Sequence, residues 1–214
     1  MTLSTGSPRY SQSDEQSYIL QALEGIQAGK VLDIGAWNAT TFSNSRALIE
    51  IGWSAVLVEP SPGPLNQLIK DYRDNDDVTL IGAVVLPRGI VDSDFRLRPM
   101  WISEDGVSTT EEAEYRKWRS HATFLRKLLV PGLSLESLYQ QFGSFDFISI
   151  DTEGTSVDLL EDLMARNAHA RHILPTCICV EHNNRQDAVW FSTRGKYETV
   201  YANPENLVLK RLAE

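Results

Sequence analysis

Val31-Leu32-Asp33-Ile34-Gly35 is a short apolar run that ends in a glycine turn, and further along a second run, Val56-Leu57-Val58, ends on Glu59-Pro60. Each reads as a buried strand, because a continuous apolar stretch of this length bounded by turn residues fits a sheet covered on both faces. A carboxylate at the tip of one parallel strand can accept both hydroxyl protons of a ribose. A glycine at the tip of its neighbour lets backbone come close to the ligand. The pair predicts a doubly wound α/β fold that binds a nucleoside.

The turn after the first strand narrows the choice of nucleoside. A dinucleotide fingerprint places three glycines there, so that a pyrophosphate rests on bare amides at a helix N-terminus. Here Gly35 stands alone, followed by Ala36-Trp37-Asn38-Ala39-Thr40-Thr41. Asp33 would repel a pyrophosphate and attract an ammonium group. S-adenosylmethionine carries that ammonium and a ribose but no phosphate, so these residues favour it over NAD. The expected contacts are Asp33 at the ammonium, Gly35 and Ala36 beneath the ligand, Glu59 with Pro60 at the ribose, and Gly82 and Ala83 beside the adenine. Asp151 joins this set, and Ser43 and Asn44 read either as further ligand contacts or as the polar first turn of a helix.

The chain has 214 residues, without a linker or composition break, and is expected to form one domain over 1–214. Its net charge of −9 argues against nucleic acid as a partner, since that affinity depends on Lys and Arg neutralising phosphates. No apolar run approaches the ~18 residues of a membrane span, and the first residues are polar, so no membrane association and a cytoplasmic location are expected. Cys177 and Cys179 lie two apart in an apolar run, which puts both on one face as reduced core residues; a metal pair lacks Cys or His partners at zinc spacing.

Helical and strand signals alternate along the chain: helix over 15–27, strand at 31–34, helix over 41–51, strand at 55–58, then a helix with Pro64 in its first turn ahead of Leu65, Leu68, Ile69 and Tyr72. A third strand follows at 78–83. The rhythm breaks over 84–131, and residues 88–130 read as an insertion before the fourth strand. It holds a strand-like stretch at 94–98 and a helix opened by the capping-box pattern Thr109-Thr110-Glu111-Glu112. That helix is either a substrate lid or a solvated charged helix with Tyr115 and Trp118 packed inward. After a helix at 135–142, the fourth strand at 145–150 ends on Asp151-Thr152-Glu153-Gly154. A helix at 156–166 leads to a fifth strand, Cys177-Ile178-Cys179-Val180, tipped by Glu181-His182-Asn183. Strand-like runs at 196–201 and 206–212 flank Asn203-Pro204 and read as an antiparallel hairpin. The sum is a mostly parallel seven-stranded sheet closed by a C-terminal hairpin.

Several blocks, in order, resemble the FkbM-like S-adenosylmethionine-dependent methyltransferases: Tyr10-Ser11-Gln12, Asp33-Ile34-Gly35-Ala36, Ser43-Asn44-Ser45, Gly52-Trp53 with Val58-Glu59-Pro60-Ser61-Pro62, and Asp146-Phe147-Ile148-Ser149-Ile150-Asp151-Thr152-Glu153-Gly154. Val180-Glu181 and the terminal hairpin extend the likeness. The family often has lysine where Ser149 stands and valine where Thr152 stands, and the insertion matches nothing in it. The resemblance implies a Rossmann-like class I methyltransferase fold and methyl transfer, commonly to a hydroxyl of a sugar or natural product.

An alcohol acceptor must lose a proton, and the candidate bases stand at adjacent strand ends: His182 first, because a neutral imidazole is the stronger base near pH 7, then Asp151 and Glu153. Asp151, Glu153 and Glu181 are also candidate ligands for Mg²⁺, which takes carboxylate oxygens and keeps waters. The expected partner is a small-molecule or sugar acceptor, and a homo-oligomer stays open. Arg116, Lys117, Arg119, Arg126 and Lys127 could meet the phosphates of a nucleotide-linked sugar. Trp101, Trp118 and Trp190 read as pocket, interface or core. A non-catalytic protein that keeps the fold to bind a glycan or partner is the alternative function.

Overall fold

The computed structural model describes residues 8–88, 96–166, 174–182 and 197–213. Asn183 and Trp190 lie outside them. One sheet organises the chain: β1 (Lys30–Ile34), β2 (Ser54–Val58), β3 (Val78–Ile81), β7 (Phe147–Ile150), β8 (Cys177–Glu181), β9 (Tyr197–Ala202) and β10 (Asn206–Arg211). Their order is β3-β2-β1-β7-β8-β10-β9. The first five strands pair in parallel, and β10 runs antiparallel to both β8 and β9. The sheet is thus the expected seven-stranded one with a C-terminal antiparallel hairpin.

Alternation along each strand explains why both faces are covered. Leu32, Ile34, Val56, Val58, Ile148 and Ile150 project to one side, where they meet α5 (Leu135–Phe142) and α6 (Ser156–Arg166). Val31, Ala55, Leu57, Phe147, Cys177 and Cys179 project to the other, against α1 (Glu15–Ala22), α2 (Arg46–Glu50) and α3 (Pro62–Asp71). The two cysteines share a face as expected, and burial pushes both thiols up, so neither is a ready thiolate.

Two helices begin or end differently from the sequence reading. α1 stops at Ala22 rather than continuing to residue 27. α2 starts at Arg46 rather than 41, because local side chains capture the backbone that a helix would need. Asn38 Oδ1 accepts from the amides of Thr40 and Thr41, both at 2.9 Å, Ser43 Oγ accepts from the amide of Arg46, and Phe42 sits at φ 59°.

The insertion is a second, three-stranded sheet in the order β4-β6-β5, formed by β4 (Val84–Val85), β5 (Leu97–Ser103) and β6 (Phe124–Leu133), with α4 (Glu112–Trp118) in the β5–β6 connection. Val84, Leu86, Met100, Ile102 and Val130 give it a small core. The capping box of α4 does not form: Glu111 is the N-cap and its side chain makes no capping bond. Thr109 instead turns inward, 1% exposed. Its hydroxyl accepts from the Glu111 amide and donates to the carbonyl of Glu153, both at 2.9 Å.

Candidate functional site

The chain enters the sheet at β1, fills one side through β2 and β3, and then crosses to β7 and β8. A crevice therefore opens between the carboxyl ends of β1 and β7, the place where open α/β sheets bind ligands. The strand tips are closely bound to one another. Gly35 donates to the carbonyl of Val58 at 2.9 Å, and Asp151 donates to that of Ile34 at 2.9 Å. Gly35 has φ +87°, and a Cβ there would lie 1.7 Å from the carbonyl oxygen of Asp151. Its reason is therefore the approach of two strand ends, not only room for a ligand.

A cavity of about 350 Å³ occupies this crevice, within the usual size for a small-molecule site. Of the sequence-predicted site residues, Asp33, Gly35, Ala36, Ser43, Asn44, Glu59, Pro60, Ala83, Asp151, Glu153 and Glu181 line it together. Gly82 and His182 are not among the lining residues. His182, expected as the base, follows the last residue of β8; its Nε2 lies 2.9 Å from the carbonyl of Asn203, to which it donates, and its amide donates to Glu205. The hairpin turn, distant from His182 along the chain, decides where that ring goes.

Asp33 is 4% exposed and accepts from Ser45 Oγ at 2.5 Å. Burial raises its carboxyl to about 6, against the lowering effect of hydrogen bonds from Ser45 and Ser149. Glu59, also buried, accepts from the amide of Trp37 at 3.0 Å and that of Ser61 at 2.6 Å. Burial raises it too, and these amides hold it back. Two amides leave a carboxylate with spare lone pairs for ligand hydroxyls. Asn44 Oδ1 is buried without a hydrogen-bond partner, an acceptor waiting for a donor.

At the β7 and β8 tips, oxygens of Asp151, Glu153 and Glu181 lie within 4.8 Å of one another, a grouping that could hold a cation. Asp151 is open to solvent through the cavity but crowded by protein, and that crowding, with the charge of Glu181, holds its carboxyl well above the usual range. Burial first, then Asp151 and Glu114, push Glu153 up to about 8. All three described non-glycine residues with positive φ line this cavity: Trp37 at 35°, Phe42 at 59° and Glu153 at 47°. Such backbone persists where surrounding structure enforces it, and it gathers at ligand sites.

The insertion supplies the roof. Met100, Asp105, Gly106, Val107, Ser108, Thr110 and Trp118 line the cavity, while Tyr115 stacks on Trp101 at 5.1 Å, away from it. Glu205 and Asn206, from the β9–β10 turn, and Gln12 complete the wall. Of these, the sequence reading named only Trp118 as a pocket candidate, and the Asn203-Pro204 turn signal lies just ahead of Glu205 and Asn206. The basic cluster does not line the cavity: Arg116 pairs with Glu112 at 2.6 Å and Lys117 with Glu114 at 2.9 Å. Among the described residues, no helix is long and apolar enough to cross a membrane.

No protein-family model matches the sequence, and no curated protein matches it. Among solved structures, the chain is similar to the precorrin-6y C5,15-methyltransferase of Geobacter metallireducens GS-15, with 14% identity and a TM-score of 0.50 over 97% of this chain and 93% of that one. It is also similar to the S-adenosylhomocysteine-bound methyltransferase PaMTH1 of Podospora anserina, with 11% identity and a TM-score of 0.45 over 93% of this chain and 78% of that one. The first likeness, together with the strand order, shows the fold: a Rossmann-like class I methyltransferase fold.

Proposed function

We propose that this protein is an S-adenosylmethionine-dependent methyltransferase that methylates a hydroxyl oxygen of a small-molecule acceptor, a sugar or natural product. The observation that carries the reading is the convergence of Asp33, Glu59 and Asp151, from the tips of three neighbouring parallel strands, on one cavity. Asp33 and the unpartnered Asn44 oxygen offer acceptors to the methionine ammonium. Glu59 offers its remaining lone pairs to the ribose hydroxyls, and Ala83 and Val84 flank the adenine. The single-glycine turn gives a pyrophosphate no cradle, which disfavours NAD.

In the reaction the acceptor oxygen forms a bond to the methyl carbon as the carbon–sulfur bond breaks, and sulfur keeps the bonding pair. The hydroxyl proton passes to a carboxylate. Glu153 and Asp151 suit that role better than His182, because they line the cavity and their raised affinity for protons makes their ionised forms stronger bases. Much of the remaining rate would come from holding acceptor, methyl and sulfur in line. The resemblance of the sequence to FkbM-like enzymes supports a hydroxyl acceptor.

Calorimetric titration with S-adenosylhomocysteine, with NAD as control, tests the cofactor. Saturable binding of the former alone is expected. Binding of neither would favour the non-catalytic alternative. The close grouping of Asp151, Glu153 and Glu181 favours a second reading, in which these carboxylates would hold Mg²⁺ and the ion would supply Lewis-acid polarisation of the acceptor. Turnover lost in EDTA and restored by Mg²⁺ would carry that reading, and turnover unchanged in EDTA would reject it.

A further inference from the structure

Among the described residues, seven carboxylic side chains line the cavity, and no lysine, arginine or histidine does. Asp33 and Glu59 lie at the β1 and β2 tips, where the proposed cofactor would sit. The others, Asp105, Asp151, Glu153, Glu181 and Glu205, come from the insertion roof, the β7 and β8 tips and the β9–β10 turn. Asp105 has a local role, accepting from the Thr123 amide at 2.5 Å. The cofactor brings a sulfonium, an ammonium and a carboxylate, a single net positive charge, and a second cation beside Asp151, Glu153 and Glu181 would favour the ionised form of these crowded carboxyls.

The same cavity has aromatic walls. Trp37 and Phe42 stack with ring centroids 6.1 Å apart, Trp118 lines the cavity from α4, and Phe42 is 55% exposed, a large apolar side chain left uncovered. Aromatic faces next to carboxylates form the environment that takes up organic cations, because the ring quadrupole and the anionic oxygens both attract positive charge. A phosphate or carboxylate entering here would meet repulsion and no cationic partner.

We propose that the methyl acceptor is an organic cation, a hydroxyl compound bearing a protonated amine such as an amino sugar or amino alcohol, held by the carboxylates of the β7, β8 and β9–β10 side and the aromatic wall. This rests on the methyltransferase reading above and names the substrate class of the same site. The amine is a binding handle. The methyl goes to the hydroxyl, whose proton leaves to a cavity carboxylate, while the ammonium keeps its protons and hence is no nucleophile. A phosphorylated sugar, which the basic residues of the insertion suggested, is disfavoured as the acceptor, since none of those residues lines the cavity.

The test uses the full chain saturated with S-adenosylhomocysteine, in EDTA, and follows tryptophan fluorescence on titration with glucosamine, N-acetylglucosamine and glucose 6-phosphate. Acetylation removes the positive charge of the first probe and adds an acetyl group in its place. Glucosamine should bind saturably, N-acetylglucosamine about tenfold more weakly or worse, and glucose 6-phosphate not at all. Glu205→Gln should weaken glucosamine while leaving the affinity for S-adenosylhomocysteine unchanged. Equal responses to the charged and acetylated sugars, no response to glucosamine, or binding of any of these sugars only when Mg²⁺ replaces EDTA would overturn the proposal. Failure to bind S-adenosylhomocysteine would overturn the methyltransferase reading itself, a separate result seen before any sugar is added.

Discussion

Replacing Asp33 with asparagine should stabilise the ligand-free protein at neutral pH while weakening its hold on S-adenosylhomocysteine. Burial raises the Asp33 carboxyl from 3.8 to about 6, a difference of about two pH units, or about 3 kcal/mol at roughly 1.4 kcal/mol per unit. The native state therefore binds more protons than the unfolded chain between about pH 4 and 6. The stability Asp33 contributes is complete below 3.8 and is lost as pH rises through about 6. Asparagine keeps an oxygen for Ser45 without the charge, and the loss of the charge-assisted bond is already contained in the net rise to about 6. The variant should then match the wild type below pH 3.8 and exceed it by about 3 kcal/mol at pH 7.5. Urea unfolding across this range measures the difference. Loss of the ammonium's partner should weaken S-adenosylhomocysteine by about ten- to a hundredfold in calorimetry. Parallel pH profiles for the two proteins, or unchanged ligand affinity, would refute the assignment of Asp33 as a buried carboxylate kept for a cationic ligand.

Gly35→Ala should destabilise the fold by more than about 3 kcal/mol in denaturant unfolding, since a left-handed residue is strained by any Cβ and this one would strike the Asp151 carbonyl. Glu59→Ala should remain folded by circular dichroism yet bind S-adenosylhomocysteine about tenfold or more weakly in calorimetry, whereas unchanged affinity would show that the ribose lies elsewhere. Thr109→Val should cost about 2 kcal/mol, because it leaves the Glu111 amide and the Glu153 carbonyl without their shared hydroxyl, and Thr109→Ser should restore most of it.

The parallel core was legible because each strand announces itself locally, as an apolar run ending on polar residues at the sheet's carboxyl edge. Asp33, Glu59, Asp151 and Glu181 are all strand-tip residues of this kind, and they meet in one cavity. The roof was not legible, for physical reasons that can be named. Pro99 lies within β5 and Pro131 within β6, and proline removes a ladder donor, so neither run reads as a strand. The β4 and β6 strands pair in parallel over only two residues each, a contact no local pattern encodes. The acidity of the cavity was equally hidden, because Asp105, Glu153, Glu181 and Glu205 sit in four separate segments, each ordinary in a chain of net charge −9. The basic residues of the insertion pointed toward an anionic acceptor when read in sequence, since a cluster of like charges along the chain looks like a binding patch. Folding separates the two sets: Arg116 and Lys117 pair with glutamates of their own helix, α4, and do not line the cavity, while the turn before that helix brings Asp105 to it. The charge that lines the cavity is thus a property of the tertiary arrangement alone, and it has the opposite sign to that of the insertion's own basic residues.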